Sequence, residues 1–422
     1  MSGGSAGFFG KTTSMKHHKK TIQDLIFGVI GLVVMNGILS LVVNPLLEKS
    51  VDTAFFGKIL FFHALATLLG SALGAGVNYA RMKVFSSEKT TKNGEYNIAV
   101  LIFMGLGVIL TLAAILVKGD DAGTFWPLLM LLSAAAVVRY YADVEYRLNL
   151  NYKRFALFYV LIGAGYLAGY GLYLVTHLWV LVFLTGELFG ILFVVLTGTI
   201  FRKPFFETTP KCGAHLKTVG IVSGSFFLSD VVSQADRFLF PILLVNGDEM
   251  TSLYYFASVV GKLASLLSTP LNGVITGHIA RDEEEMTRKK FAKILALMAA
   301  VFVVLTAVCF AGSHLFVWLF YRDSYETVRG LFLLANAGQV IFFVCNTLMV
   351  VVLRYTHERN QIIANIAYLV LFFAATVPLI VSFGIYGMAW GILIVNAVKF
   401  LVFSALGFVS LGRKKEAKSG AD

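Results

Sequence analysis

Long apolar runs recur along this chain, separated by short polar segments, and each is long enough to cross a bilayer, which takes about 20 residues. In hydrocarbon every backbone polar group must be satisfied within its own segment, so such runs are helices. The pattern predicts twelve spans, near 22–46, 54–80, 96–118, 123–142, 154–176, 178–201, 216–245, 251–280, 290–312, 325–354, 360–382 and 386–410. The joining segments are short, and no run between them is long enough for a soluble domain. The expected fold class is therefore all-α, a polytopic membrane protein.

Composition agrees, with 58% hydrophobic and 14% charged residues where a soluble chain carries about a quarter charged. The opening MSGGSAG is flexible and polar, and the first span follows without a small-residue cleavage site, so it reads as an uncleaved helix. Lys and Arg set the orientation. With the N-terminus inside, 27 of the 35 fall in inner segments and five in outer loops or helix ends, which places both termini in the cytoplasm. Topology thus accounts for the net charge of +11 without nucleic acid as a partner. Cys212, Cys309 and Cys345 show no close pair or metal-ligand spacing, and no phosphate loop, nucleophile elbow or HExxH occurs. No cofactor, metal or catalytic residue is expected.

Twelve spans divide at the basic segment RKPFFETTPKCGAHLK, six to a side. The expected organisation is a cytoplasmic segment 1–21, a six-helix lobe 22–201, a linker 202–215, a second lobe 216–410 and a cytoplasmic tail 411–422. The second helices of the halves match: residues 55–81 and 255–281 both end in Ala-Arg, 200 positions apart, and Pro45 and Pro241 precede them. Duplicated lobes are a common construction for transporters that bind near the midplane between repeats.

The candidate chemistry lies inside the spans. On a helical wheel of 223–242, Ser225, Ser229, Ser233 and Asp236 fall within about 80°, with Ser223, Asp230, Gln234 and Arg237 in the neighbouring arc. Phe227, Leu228, Val231, Val232 and Leu239 occupy the opposite side. In the eighth span Tyr255, Ser258, Lys262, Ser265, Thr269 and Thr276 form one stripe, with Lys262 about 17 Å from the outer end at 1.5 Å per residue. His63 stands near the repeat position of Lys262, Glu187 lies in the sixth span, Gln339 and Asn346 share a face of the tenth, and Asn396 and Lys399 are a turn apart in the twelfth. Each has a plain alternative. Asp236 and Arg237 could pair with each other, Lys58 and Lys399 could snorkel, Ser and Thr stripes could serve packing, and His63 could be a satisfied interior histidine. Lys262 is too deep to snorkel easily, and a charge there costs at least about 2.5–3.5 kcal/mol unless hydrated or paired. Together these residues predict a hydrated, net-cationic cavity between the lobes.

The stretches DTAFFGKILFFHALATLLGSALGAGVNYAR, ADRFLFPILLVNGDEMTSLYYFASVVGKLASLLSTPL, LFYRDSYETVRGLFLLANAGQVIFF and GIYGMAWGILI carry a likeness over nearly the whole chain. It resembles the bacterial polysaccharide flippases (Wzx-type) of the multidrug/oligosaccharidyl-lipid/polysaccharide exporter superfamily. The first span departs from that pattern in lacking charge at its centre. The resemblance implies a MATE-like architecture of two six-helix lobes in the bacterial cytoplasmic membrane. It implies translocation of an undecaprenyl-pyrophosphate-linked oligosaccharide for O-antigen or capsule synthesis, with membrane lipids and a polysaccharide polymerase or glycosyltransferase as partners. Lys262, Arg237, Ser258, Ser265, Thr269, Gln234, Lys399 and Asn396 would line the pyrophosphate and glycan cavity. Asp230, Asp236, Glu187 and His63 would be candidates for ion coupling or ion pairs. The rival in the same superfamily is a multidrug or organic-cation exporter, which would prefer an acidic cavity. A membrane-embedded polymerase or glycosyltransferase would need a larger outer loop than residues 313–324 supply.

Overall fold

The computed structural model describes residues 26–89, 92–118, 125–201, 204–268, 272, 286–353 and 358–419. Among them there are helices and no strands. In chain order the helices are α1 (Ile26–Glu48), α2 (Thr53–Ser86), α3 (Gly94–Lys118), α4 (Trp126–Leu148), α5 (Tyr152–Thr176) and α6 (Val180–Thr197). They continue with α7 (Cys212–Ser233), α8 (Ala235–Leu243), α9 (Gly247–Ser265), α10 (Arg288–Phe320), α11 (Phe332–Leu353) and α12 (Glu358–Ser419).

Ten helices among the described residues are long and apolar enough to span a membrane. Eleven of the twelve expected spans map onto them with two differences, while the eighth falls on α9, which is not among the ten and whose expected continuation past residue 268 lies almost wholly outside the described residues. The last candidate, Ile366–Leu411, holds two spans joined at Gly384, whose φ of 56° and ψ of −128° break the helix. That conformation is open to glycine and strained for other residues. Nothing stands within 4 Å of where a Cβ would sit, so only the dihedral opposes substitution. Gly384→Ala should therefore cost about 1–3 kcal/mol, read as a lowered unfolding temperature in detergent. The second difference is the seventh span, which is not one helix. α7 stops at Ser233, Gln234 takes φ −107° and ψ 7°, and α8 starts at Ala235. Ser233 Oγ donates to the Asp230 carbonyl (3.0 Å), a side-chain contact that competes with the helix ladder.

Packing groups the chain into two compact units, Met1–Leu39 with Leu69–Gly224, and Ser40–Leu68 with Ser225–Asp422. A division at 202–215 leaves residues 40–68 with the first half, whereas packing joins them to 225–422. The two early changes of unit fall beside or within π-helical turns, Ile38–Val43 and Gly70–Ala75.

In the first unit, residues 200–201 and 204–215 are fastened to the start of α3. Asn93 Nδ2 donates to the Ile200 carbonyl (3.0 Å), Asn97 Nδ2 to that of Phe205 (3.1 Å), and Gly94 N to that of Glu207 (3.1 Å). Glu95, fully buried, accepts from Thr209 Oγ1 (2.9 Å) and from His215 Nδ1 (2.7 Å). Lys211 lies 3.0 Å from Glu88 and, by that hydrogen bond, holds the exposed carboxyl below its ordinary range. In the second unit, residues 53–57 pack on the start of α9. Ser252 Oγ donates to the Thr53 carbonyl (2.6 Å), and a Cβ on Gly57 would overlap the Asp248 backbone.

Candidate functional site

The break at Gln234 decides where the two charges after it point. Asp236 falls in the first turn of α8, and the three-residue connection 244–246 brings α9 back against that helix. There the Lys262 ammonium contacts Asp236 Oδ2, 26 positions away in sequence. The Asp236 side chain is 4% exposed and that of Lys262 18%. Asp236 pairs with Lys262, and not with Arg237 as in the plain alternative. Adjacent residues on a helix point about 100° apart, so a neighbour in sequence is poorly placed as a partner.

Arg237 is held differently. Its guanidinium carbon stands 5.7 Å from the centre of the Tyr255 ring. Tyr255 is fixed by Asn44 Nδ2, which donates to its hydroxyl (2.7 Å), and by an edge contact with Phe56 at 5.9 Å. Behind it Phe256 stacks on Tyr321 at 4.1 Å. Two buried donors here lack an acceptor among the described residues: Arg237 Nε and Ser258 Oγ. One acceptor, Asn44 Oδ1, is likewise unbonded. A buried polar group without a partner costs about 1–3 kcal/mol, so the Arg237 and Ser258 donors favour an acceptor supplied from outside the described side chains.

The other residues expected here divide. Ser258 is fully buried on the Lys262 face of α9. Ser265 turns back to its own helix, its Oγ donating to the Lys262 carbonyl (2.8 Å). Gln234 is the half-buried residue at the break, and Asp230 is half-buried near the end of α7. Ser223 is buried, whereas Ser225, Ser229 and Ser233 are exposed, as are Phe227 and Leu228 on the opposite side. His63 is half-buried on α2. Thr269 and Thr276 lie outside the described residues. Gly261, next to Lys262, donates its N–H to Asn336 Oδ1 on α11 (2.8 Å), with Gln339 packed against it.

Lys399 and Asn396 build a separate cluster between α11 and the two parts of α12. The Lys399 ammonium stands 4.2 Å from the Tyr368 ring centre and 3.3 Å from Asn346 Oδ1. Asn396 Oδ1 accepts from the Tyr368 hydroxyl (3.1 Å). At 8% exposure Lys399 is buried against an aromatic face, so it does not snorkel.

Glu187, expected as a candidate for ion coupling, is closed off in the first unit. Its Oε2 accepts from Arg139 Nε (2.5 Å) and its Oε1 from Arg139 Nη2 (2.9 Å) and the Tyr166 hydroxyl (3.4 Å). The guanidinium also lies 3.7 Å from the Tyr140 ring centre, and both charged side chains are about 95% buried (4% and 5% exposed). A bidentate Arg–carboxylate pair with stacked cover is a structural element.

No family model matches the chain, and no curated protein matches it in sequence. Structural likeness is extensive. A multidrug resistance MATE family transporter of the MOP superfamily, in its inward-facing conformation, superposes with a TM-score of 0.65 at 16% identity, over 93% of this chain and 96% of that one. The lipid II flippase MurJ in its inward closed conformation gives 0.63 at 15% identity, over 92% and 86%. A mutant of the Vibrio cholerae MATE transporter VcmN gives 0.59 at 14%, over 95% and 98%.

This is the MATE transporter fold.

Within that fold, sequence reasoning missed Arg139. Counted among the inner-segment charges, it lies well inside α4, which continues to Leu148. The signal was present: a carboxylate within a span needs a cation at comparable depth. Asn44 was missed as well, and only its partner Tyr255 reveals its role. Chemically, Lys262 and Arg237 are donors of the kind an oxyanion takes, and Asp236 is the carboxylate in contact with Lys262.

Proposed function

We propose that this protein carries an undecaprenyl-pyrophosphate-linked oligosaccharide from the inner to the outer leaflet of a bacterial cytoplasmic membrane. The observation behind the reading is the pair of cations Lys262 and Arg237, the first in contact with Asp236 and the second with an Nε–H that has no acceptor among the described residues. A pyrophosphate supplies what that place lacks, and Arg and Lys are its usual ligands. The saccharide hydroxyls need a wet polar path, since each one stripped of water costs a few kcal/mol without a partner. The isoprenoid tail stays in lipid. The fold shared with the lipid II flippase MurJ supports a lipid-linked glycan as cargo. The Lys and Arg distribution supports both termini in the cytoplasm. Alternating access by rocking one lobe against the other is the expected mode, and a polymerase or glycosyltransferase would handle the glycan on either side.

The multidrug reading draws support from the MATE neighbours. An organic cation, however, wants an available carboxylate, and here Asp236 and Glu187 are taken by Lys262 and Arg139.

Proteoliposomes containing an undecaprenyl-pyrophosphate-linked oligosaccharide test the proposal. The protein should expose internal glycan to an impermeant glycosidase faster than empty vesicles do. Exposure at the protein-free rate, with uptake of an organic cation instead, would replace the flippase reading by the exporter.

A further inference from the structure

We propose that Asp236 is an internal competitor for the anion that this site takes. Its carboxylate holds Lys262 while the site is empty and yields the ammonium when a phosphate-bearing headgroup arrives. The inference rests on the anion-binding reading above and adds how the site is kept neutral and how it releases its cargo.

Two of the ion pairs within the described spans, Arg139–Glu187 and Lys262–Asp236, differ in the way this role requires. Arg139 and Glu187 share two hydrogen bonds, with side chains 4% and 5% exposed, and Tyr140 and Tyr166 close over them. Lys262 meets a single oxygen of Asp236, and the lysine is the open member, 18% exposed against 4%. An arriving anion therefore reaches the ammonium before it reaches the carboxylate. Arg237, one residue on, has an Nε–H without an acceptor, and Ser258, one turn before Lys262, has an unbonded hydroxyl. An anion accepted by Lys262 thus finds further donors.

Such a competitor solves two problems at once. A lysine left without a counter-charge at this depth would be strongly unfavourable, and a site that bound pyrophosphate without competition would be slow to let it leave. Re-pairing with Asp236 drives release. The cost is weakened binding, since apparent affinity falls by the fraction of molecules whose lysine is available.

The test uses inorganic pyrophosphate titrated calorimetrically into the full-length protein in phosphatidylcholine nanodiscs. Asp236→Asn should bind about tenfold tighter than the wild type, as for a competitor that occupies the lysine nine-tenths of the time. Asp236→Glu, which restores the charge, should reverse the gain, and adding Lys262→Met to Asp236→Asn should abolish it. Asp236→Asn binding no tighter than the wild type, with Lys262→Met still weakening it, overturns the competitor and leaves the anion site standing. No binding by any variant overturns both. If Asp236→Asn does not fold, infrared difference spectra of the wild type read the same event: pyrophosphate should shift an aspartate carboxylate band that Asp236→Glu moves. Binding without that shift refutes the exchange. Repeating the titration in phosphatidylglycerol discs separates the sources of phosphate. Unchanged affinity is expected, and loss of pyrophosphate binding there would assign the displacing group to bulk lipid and overturn the role in cargo release.

Discussion

Arg237→Ala should abolish glycan translocation in proteoliposomes while leaving a folded protein. Arg237 is half-buried and rests on the Tyr255 ring, a contact worth about 0.5–2 kcal/mol. Its removal therefore lowers the unfolding temperature only slightly. The loss in transport should be far larger, because the planar fork that suits phosphate goes with it. Arg237→Lys should recover part of the rate, keeping charge without the bidentate geometry. Lys262→Ala should also abolish transport, but with a stability penalty of about 3–5 kcal/mol from the stranded Asp236. The contrast between the two variants, read by thermal unfolding beside the transport assay, separates ligand binding from ion-pair maintenance. Full transport by Arg237→Ala would take that residue out of the site.

The second large effect is on stability alone. Glu187→Ala leaves the Arg139 guanidinium buried in the first unit without its carboxylate. Breaking a buried pair by removing one partner costs about 3–5 kcal/mol, whereas replacing both by apolar residues of similar volume is often neutral. Glu187→Ala should thus lower yield and unfolding temperature sharply, and Glu187→Leu with Arg139→Met should restore both. If Glu187→Ala is instead as stable as the wild type yet loses transport, Glu187 belongs to the transport machinery.

The stripe on α9 shows how far periodicity reaches. Tyr255, Ser258 and Lys262 recur at helical spacing, and they do stand together in the structure, with Tyr255 beneath Arg237 and Lys262 against Asp236. The same reasoning applied to residues 223–242 does not carry across the break at Gln234, where α7 ends and α8 begins, so Asp236 does not continue the row of Ser225, Ser229 and Ser233. It also joins Lys399 and Asn396 to the Lys262 site, while the fold turns them toward Tyr368 and Asn346. Sharing depth in a bilayer does not mean sharing a neighbour.

From the chain of residues alone came the membrane setting, the helical class and the spans. Those follow from each segment's need to bury its own backbone bonds in hydrocarbon, a local requirement written in local composition. Only the tertiary structure decided that Asp236 answers Lys262, that Arg139 answers Glu187 and that residues 40–68 pack with 225–422. These are meetings between distant segments. Charge and periodicity mark which side chains need partners, but the partner is chosen by how helices break and pack.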